Sequence, residues 1–449
     1  MEFVAQTADG TVRYSDRKRY MWLAALTSPC IAPLTIWVYF VSGGSAWGAF
    51  LPLAYFFVWI PTLDELLGED SNNPPEAIAA AMARDNYYRW LLYVDIAFLY
   101  GAFFCFAWLA GTQHLPWWAL VALALGAGIA VADVIFIGHE LGHKKSKLDR
   151  AMAQIALSLV GYGHFTIEHN RGHHVQVATP DDSASSRMGE NVYKFALREI
   201  PGALTRSWRL EWARLAQEGH AGVWWRNRIL RSWTLTTAIA AGLIAAFGWV
   251  MVPFLLIHHL YAWFGLTQAN YIEHYGLLRE KLPNGRYELP QPKHSWNTNH
   301  IYSNLLTLHL QRHSDHHANA LRPFQALRNF DDAPRLPSGY PGCFGLVAIP
   351  KLWFKVMDAK VLEWANGDLS KINIDPDRKI EIYVRYGVSL PDDVFEAVTK
   401  PARPRPKPAE TDRYSGHELE LDRPVNESQD VAPALLRAED RPRADSRAA

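Results

Sequence analysis

Six apolar stretches, each close to the length that crosses a bilayer, constrain the fold of this chain more than any other feature. A spanning helix needs roughly 20 mostly apolar residues, and the second and fifth stretches only just reach that length. The stretches lie at 20–42, 46–63, 88–110, 115–138, 232–249 and 252–272. They predict an all-α integral membrane protein with six transmembrane helices.

The loops between these stretches predict which way the chain faces. Lys and Arg occur in segments 13–19, 64–89 and 144–150, whereas the loops on the other side contain neither residue. Loops rich in Lys and Arg stay in the cytoplasm. Six spans then place both termini in the cytoplasm.

Composition limits what else the chain can be. The 449 residues carry a formal net charge of zero, which argues against a nucleic-acid partner for the chain as a whole. The three cysteines, Cys30, Cys105 and Cys343, form no CxxC pair, which argues against a disulfide framework and against an in-chain iron–sulfur or rubredoxin-type site. We predict one membrane-embedded domain over 1–400 and a disordered tail rich in Pro and charged residues over 401–449.

Four histidine clusters follow the spans on the predicted cytoplasmic side. Residues three or four apart share one face of a helix, so each multi-histidine cluster is expected to aim two or three imidazoles at one point. The clusters are HELGH (His139, His143), EHNRGHH (His169, His173, His174), NYIEHYGL (His274) and LQRHSDHH (His313, His316, His317). Helices that return to the same membrane face can bring all four together at a metal site.

The first cluster by itself matches the HExxH pattern of zinc proteases, in which the glutamate acts as a general base. A catalytic zinc needs only two such histidines, one further ligand and an open position for water. That assignment leaves most of the clustered histidines unused. About nine imidazoles suit two redox-active ions, and imidazole suits iron. Glu140 would then orient a ligand and would not act as a proteolytic base.

The longer strings around these clusters resemble the integral-membrane alkane hydroxylases (alkane 1-monooxygenases) of the histidine-box membrane desaturase and hydroxylase superfamily. Besides the clusters, the strings HSWNTNH, GEDSNNPPE (68–76) and LPSGYPG (336–342) carry the likeness, which runs from about 15 to 375. The resemblance implies a non-haem diiron monooxygenase that uses O₂ to hydroxylate the terminal methyl of an n-alkane to a 1-alkanol. It also implies a multi-pass protein of the bacterial inner membrane.

The resemblance further implies the cofactor, its ligands and the electron donor. Two non-haem irons would be held by nine residues: His139, His143, His169, His173, His174, His274, His313, His316 and His317. Electrons would come from NADH through a rubredoxin reductase and a separate rubredoxin, because this chain has no CxxC pair for a fused one.

Further candidates lie close to these ligands or in the spans. The residues expected to support the ligands are Glu140, Glu168, Glu273, Asp315 and His309. The residues expected to line a substrate channel are Phe56 in the second span and Asp133 in the fourth, at similar depth just beyond the metal site. An Asp inside a spanning helix is costly and marks a candidate functional site.

Several alternatives remain open from the sequence. The same superfamily contains hydroxylases of alkyl-aromatic or terpene methyl groups and lipid desaturases. A membrane zinc metalloprotease and a metal-binding transporter without catalysis come from different classes. Metal content and O₂-dependent turnover distinguish these alternatives.

Overall fold

The computed structural model describes residues 1–387, and this part of the chain is mainly helical. It belongs to a compact unit that runs from Met1 to Leu390. The predicted tail, 401–449, lies outside the described residues.

Five helices in the described part of the chain are long and apolar enough to cross a membrane. In chain order, spans 1 to 5 are Met21–Val41, Ala46–Leu67, Asn86–Thr112, Trp117–Gly142 and Arg228–Phe247. Each one overlaps a predicted stretch, and span 4 continues past the predicted end at 138 into the HELGH cluster. The apolar stretches therefore correspond to continuous helical segments.

The sixth predicted stretch, 252–272, also forms a helix, but this helix is not among the five that are apolar enough. It runs without interruption over Met251–His274 and is called the sixth helix below. Its last two turns carry Thr267, Gln268 and Asn270, which lower its mean hydropathy. The Thr267 hydroxyl and the Asn270 amide both donate hydrogen bonds to the buried carboxylate of Glu199, over 2.7 and 3.2 Å.

Local sequence explains where several helices begin and end. Span 3 begins after Asp85, whose carboxylate accepts a hydrogen bond from the Tyr87 backbone N–H, and span 5 begins after Asn227, whose side chain caps the first turn. Such caps satisfy backbone donors that a helix leaves unpaired at its N-terminus. Gly68 and Gly248 follow the ends of spans 2 and 5 with φ of +73° and +80°, a conformation that favours glycine.

A β-hairpin precedes span 1 and departs from the all-α prediction. Its antiparallel strands, Glu2–Thr7 and Gly10–Ser15, pair from Glu2 with Ser15 to Thr7 with Gly10. Phe3 is buried in the core, and Lys18 just beyond the hairpin pairs with Asp70 over 2.7 Å. The sequence signal was present in the Asp-Gly step between two alternating segments.

Span 4 lies at the centre of the bundle. It is the most buried of the five spans, and small residues let its neighbours approach closely. A Cβ at Gly128 would come within 2.7 Å of the His258 carbonyl oxygen in the sixth helix, and one at Gly126 within 2.8 Å of Pro52 in span 2. Close approach through small residues is a common way for helices to associate in membranes.

The remaining helices pack beyond the ends of span 4 and the sixth helix. Their bounds are Ala79–Ala83, Lys147–Ser158, Phe165–Glu168, His174–Gln176, Val192–Gln217, Ile301–Leu306, His313–Ala318, Tyr340–Val347, Pro350–Trp364 and Lys379–Arg385. Within residues 1–387, two π-helical turns interrupt the α-helical pattern, at Tyr55–Trp59 in span 2 and at His169–His173. These helices bring the later histidine clusters to the end of span 4.

Candidate metal centre

The structure brings all nine predicted histidines together, in two neighbouring groups. Within each group, one ring nitrogen from every residue lies within 4.8 Å of the others, the spacing expected around a metal ion. The five-histidine group is His139, His143, His169, His174 and His316. The four-histidine group is His173, His274, His313 and His317.

Nitrogen spacings in the five-histidine group fit a coordination shell. The Nε2 atom of His316 lies 2.9 Å from that of His139, 3.0 Å from that of His174 and 3.4 Å from that of His169. An ion about 2.1 Å from each imidazole nitrogen separates neighbouring ligand atoms by about 3.0–3.4 Å. The Nε2 atom of His143 is buried without a hydrogen-bond partner among the described residues. These residues therefore fit a metal ion.

The four-histidine group has the same character. His317 Nε2 lies 2.9 Å from His313 Nε2 and 3.2 Å from His173 Nε2. The His274 Nε2 atom is buried and has no partner among the described residues. All four residues are buried, whereas His143 and His174 of the other group are partly exposed. The five-histidine group is thus the more accessible of the two.

The division into groups corrects the expectation that each cluster aims at one point. His139 with His143, and His313 with His317, share a group at a spacing of four, as predicted. His169 and His173 have the same spacing but lie in different groups. The reason is the π-helical turn at His169–His173, in which residues five apart come onto one face. His169 therefore shares its group with His174 and not with His173.

Burial keeps most of these imidazoles in the form that binds a metal. Burial first, and then repulsion from neighbouring imidazoles, hold the pKa values of His169, His174 and His316 well below the usual value for histidine. A neutral ring offers a lone pair to a cation, whereas a protonated ring does not. The group is therefore ready to bind a cation near neutral pH.

His173 has a carboxylate partner that sequence reasoning missed. Its Nδ1 lies 2.9 Å from Asp182 Oδ2, which directs Nε2 toward the four-histidine group. Burial lowers the pKa of His173, but the Asp182 carboxylate outweighs burial and the pKa is raised. Such carboxylate–histidine pairs fix the tautomer and orientation of metal ligands. Asp182 lies in ATPDDSASS, which carries no motif that would have identified it.

Asp182 is itself held by a buried ion-pair network. Arg206 Nη2 donates to Asp182 Oδ1 over 2.9 Å and also pairs with Glu168. Burial raises the pKa of Asp182, but His173 and Arg206 together hold it well below its usual value. Glu168, a predicted supporting residue, is thus linked to His173 through Arg206 and Asp182.

Glu273 lies closest to the metal-facing atoms among the predicted supporting residues. Its Oε2 is 3.3 Å from His313 Nε2, and its Oε1 accepts a hydrogen bond of 2.6 Å from the Tyr340 hydroxyl. Tyr340 lies in the LPSGYPG string and was not singled out from the sequence. It joins the four-histidine group to the crevice described below.

The other three supporting candidates have their partners outside the two histidine groups. Glu140 pairs with Lys144 over 2.5 Å and accepts a hydrogen bond from the Phe324 backbone N–H. Asp315 pairs with two arginines, Arg322 and Arg328. His309 belongs to neither group, and its ring packs edge-on against Trp22 with a centroid distance of 4.6 Å.

Phe56 and Asp133 line one crevice between spans 1, 2 and 4 and the later helices. The crevice also contains Phe136, Phe344 and Tyr340. Its volume is only about 20 Å³, room for roughly one water molecule, so that a longer guest has to displace side chains. The ring of Phe56 packs against that of Phe344 with a centroid distance of 5.8 Å.

Comparison with known proteins bears on both the site and the fold. A family model for fatty acid desaturases matches residues 115–345. The alkane 1-monooxygenase of Pseudomonas putida is 49% identical over 381 residues, which cover 84% of this chain and 94% of that protein. The alkane 1-monooxygenase of Ectopseudomonas oleovorans is 48% identical over 85% of this chain and 95% of its own length. Alkane 1-monooxygenase 1 of Alcanivorax borkumensis is 48% identical over 84% of this chain and 93% of its own length.

Proposed function

This chain belongs to the alkane 1-monooxygenase family of oxidoreductases, and we propose that it hydroxylates the terminal methyl of n-alkanes to 1-alkanols with two non-haem irons. The observation that carries the proposal is the convergence of nine histidines into two ion-sized groups. The same geometry disfavours the zinc protease, because the two HELGH histidines share a group with three further imidazoles.

The nine histidines are proposed to bind one ion in each group. Imidazole-rich sites accept iron and zinc alike, but a tetrahedral zinc has no use for five imidazoles. Bound iron would supply the one-electron chemistry that the reduction of O₂ requires. The protein's own residues hold the ligands in place and exclude water, since seven of the nine rings are buried.

The crevice is proposed to be the end of the substrate path. Phe136 and Phe344 supply an apolar wall, and Tyr340 connects it to Glu273 and the four-histidine group. A methyl group at Tyr340 would lie next to that group, with the rest of the chain extending past Phe56 and Asp133. Holding one carbon near the site, away from water, is the protein's contribution to regioselectivity.

The proposal includes six membrane crossings, with the sixth helix as the last of them. The sixth helix has 24 residues, about 36 Å at 1.5 Å per residue, which is enough to cross the bilayer beside spans 1 to 5. Six crossings in the bacterial inner membrane, with Lys and Arg on the histidine side, put both termini and the metal site in the cytoplasm. There the site can meet a rubredoxin that NADH-dependent rubredoxin reductase keeps reduced.

Product analysis tests the proposed activity. Membranes containing the chain are supplied with NADH, rubredoxin, its reductase and ¹⁸O₂, and are offered n-alkanes, a methyl-aromatic and a membrane lipid. The proposal expects labelled 1-alkanol as the main product. Unsaturated lipid, or labelled benzylic alcohol with no alkanol, would assign the chain to the alternative reactions of the superfamily.

Removing the carboxylate that supports His173 should weaken metal binding by the four-histidine group. Asp182→Ala leaves Nδ1 of His173 without its acceptor, and losses of about 10–100-fold in metal affinity or activity are typical for such partners. Iron retained after dialysis against a chelator is the measurement. The matched control is Asp181→Ala, an exposed neighbour that should retain iron like the wild type. If both variants retained the same amount of iron, Asp182 would have no role in metal binding.

Phe56 is expected to limit the length of the alkane. Because the crevice is so narrow, Phe56→Ala should open it and shift the product profile toward longer alkanols. Phe57→Ala is the control, since Phe57 is the neighbouring aromatic residue but does not line the crevice. In the same assay, Asp133→Leu should favour purely apolar substrates over methyl-aromatics. Unchanged profiles in both crevice variants, with iron intact, would place the channel elsewhere.

A further inference from the structure

A basic cavity lies beside the end of the sixth helix, and no histidine is among the residues that line it. Its volume is about 550 Å³, and helix Pro350–Trp364 and the segment around Lys379–Arg385 form its walls. The residues that line it are Lys351, Phe354, Lys355, Asp358, Ala359, Leu362, Arg378, Arg385 and Tyr386. Four of these are cations and one is a carboxylate.

The charges of this cavity are only partly balanced. Arg378 and Arg385 both pair with Glu381, over 2.6 Å each, and Arg385 also lies 3.8 Å from Asp358, which accepts a hydrogen bond from the Tyr275 hydroxyl. Lys351 and Lys355 are exposed and have no ion pair with any carboxylate in the described part of the chain. They lie one helical turn apart and can therefore reach the same anion.

Contacts with the sixth helix fix the depth at which the helix Pro350–Trp364 begins. The Tyr193 hydroxyl donates to the Ala348 carbonyl over 2.9 Å, and the Tyr193 ring stacks on Phe264. Phe264 lies ten residues before His274, about 15 Å along the helix. The chain thus enters Pro350–Trp364 beside the part of the sixth helix that is proposed to lie in the bilayer.

The same helix then runs outward along the sixth helix. The Trp353 ring lies 5.5 Å from the rings of both Tyr271 and Tyr275, and Val361 contacts Gly276. Lys351 and Lys355 on either side of Trp353 therefore lie at the level where the sixth helix ends. That level is the headgroup layer if the sixth helix crosses the bilayer as proposed.

Exposed apolar side chains accompany the two lysines at the start of the helix. Ile349, just before the helix, is 57% exposed, and Leu352, between the two lysines in the sequence, is 42% exposed. Such exposure is costly in water but favourable against acyl chains. Exposed apolar residues next to the lysines of a basic cavity match the two chemistries of a phospholipid.

We propose that this cavity binds the headgroup of an anionic phospholipid, with its phosphate between Lys351, Lys355 and Arg385 and its acyl chains along Ile349 and Leu352. Basic pockets at the cytoplasmic ends of spanning helices recognise such headgroups. The site is separate from the metal centre, so its test does not depend on turnover.

Titration of the purified, delipidated full chain with phospholipid, read by native mass spectrometry, tests this site. Phosphatidylglycerol and phosphatidylcholine with identical acyl chains are compared, because only the first has a net negative headgroup. The wild type is expected to bind phosphatidylglycerol about tenfold more tightly than phosphatidylcholine, and the double variant Lys351→Gln/Lys355→Gln is expected to lose that preference. Iron content checks that the variant is folded.

The control variant, Lys281→Gln/Arg286→Gln, removes the same charge from the exposed loop after the sixth helix and should keep the preference. Equal loss in both variants would reduce the effect to overall charge and would overturn the site. Complete displacement of phosphatidylglycerol by millimolar inorganic phosphate would also overturn it, since the cavity would then bind a soluble anion. The site would likewise be overturned if the wild type bound phosphatidylglycerol and phosphatidylcholine equally tightly.

Discussion

His316→Ala and His317→Ala are expected to abolish turnover through different metal ions. The two residues are adjacent in the chain, but His316 lies in the five-histidine group and His317 in the four-histidine group. Each variant should lose roughly 100-fold or more in activity, since loss of a ligand exceeds the 10–100-fold cost of losing a ligand's partner. Each should also lose iron mainly from its own group.

Mössbauer spectra of ⁵⁷Fe-loaded protein distinguish the two losses. The wild type should show two iron sites, and each single variant should lose a different one, because the two groups differ in ligand number and burial. His114→Ala, in the loop between spans 3 and 4, is the control and should keep both sites. Full turnover and two unchanged iron sites in either His316→Ala or His317→Ala would show that its group does not hold an ion.

Purified chain with NADH alone is expected to form no product. Hydroxylation of an alkane, RH + O₂ + 2e⁻ + 2H⁺ → ROH + H₂O, needs two electrons, and the three cysteines of this chain form no CxxC pair to hold a rubredoxin iron. Adding rubredoxin and its reductase should restore turnover from background to the full rate. Rubredoxin without the reductase should support no sustained turnover.

The surface beside the five-histidine group is the expected docking area for the donor. His143 and His174 are the only partly exposed residues among the nine, and Lys145 and Lys147 lie exposed just after His143. Charge reversal at these two lysines should raise the KM for rubredoxin, because rim charges mainly affect association. Charge reversal at Lys281 is the control and should leave the KM for rubredoxin unchanged. Product formation by the purified chain with NADH alone would refute the requirement for a separate donor.

Deletion of 401–449 should leave this turnover largely intact. The segment is rich in Pro and charged residues and has too few apolar residues to form a core. The comparison is the rubredoxin-dependent rate of the truncated and full-length chains at equal iron content. A large loss in the truncated chain would assign the tail a role in docking.

Hydropathy was sufficient to predict five helices that are long and apolar enough to cross a membrane. Apolar side chains in a bilayer-length stretch leave the backbone little choice but a helix, so five predicted spans coincide with helices of the required length. The sixth helix is not among these five. Its Thr267 and Asn270 face a buried glutamate of another helix, and no local sequence pattern shows that contact. The N-terminal hairpin was not predicted, although the Asp9-Gly10 step between its strands is typical of a hairpin turn.

The metal site shows where sequence reasoning ends. Histidine spacing predicted which residues converge, but His169 and His173 enter different groups because of a π-helical turn that their spacing does not show. Asp182 and Arg206 are brought to His173 by tertiary packing, and neither lies in a recognisable motif. Contacts of this kind depend on the folded chain and not on local sequence.

The metal content of the purified chain tests the central claim most directly. Two ion-sized groups of imidazoles in an alkane 1-monooxygenase should hold two irons per chain, with little zinc, in preparations that turn over n-alkane. Inductively coupled plasma mass spectrometry against a quantified protein concentration gives this number. One zinc per chain and negligible iron, in protein that still forms alkanol, would contradict the account.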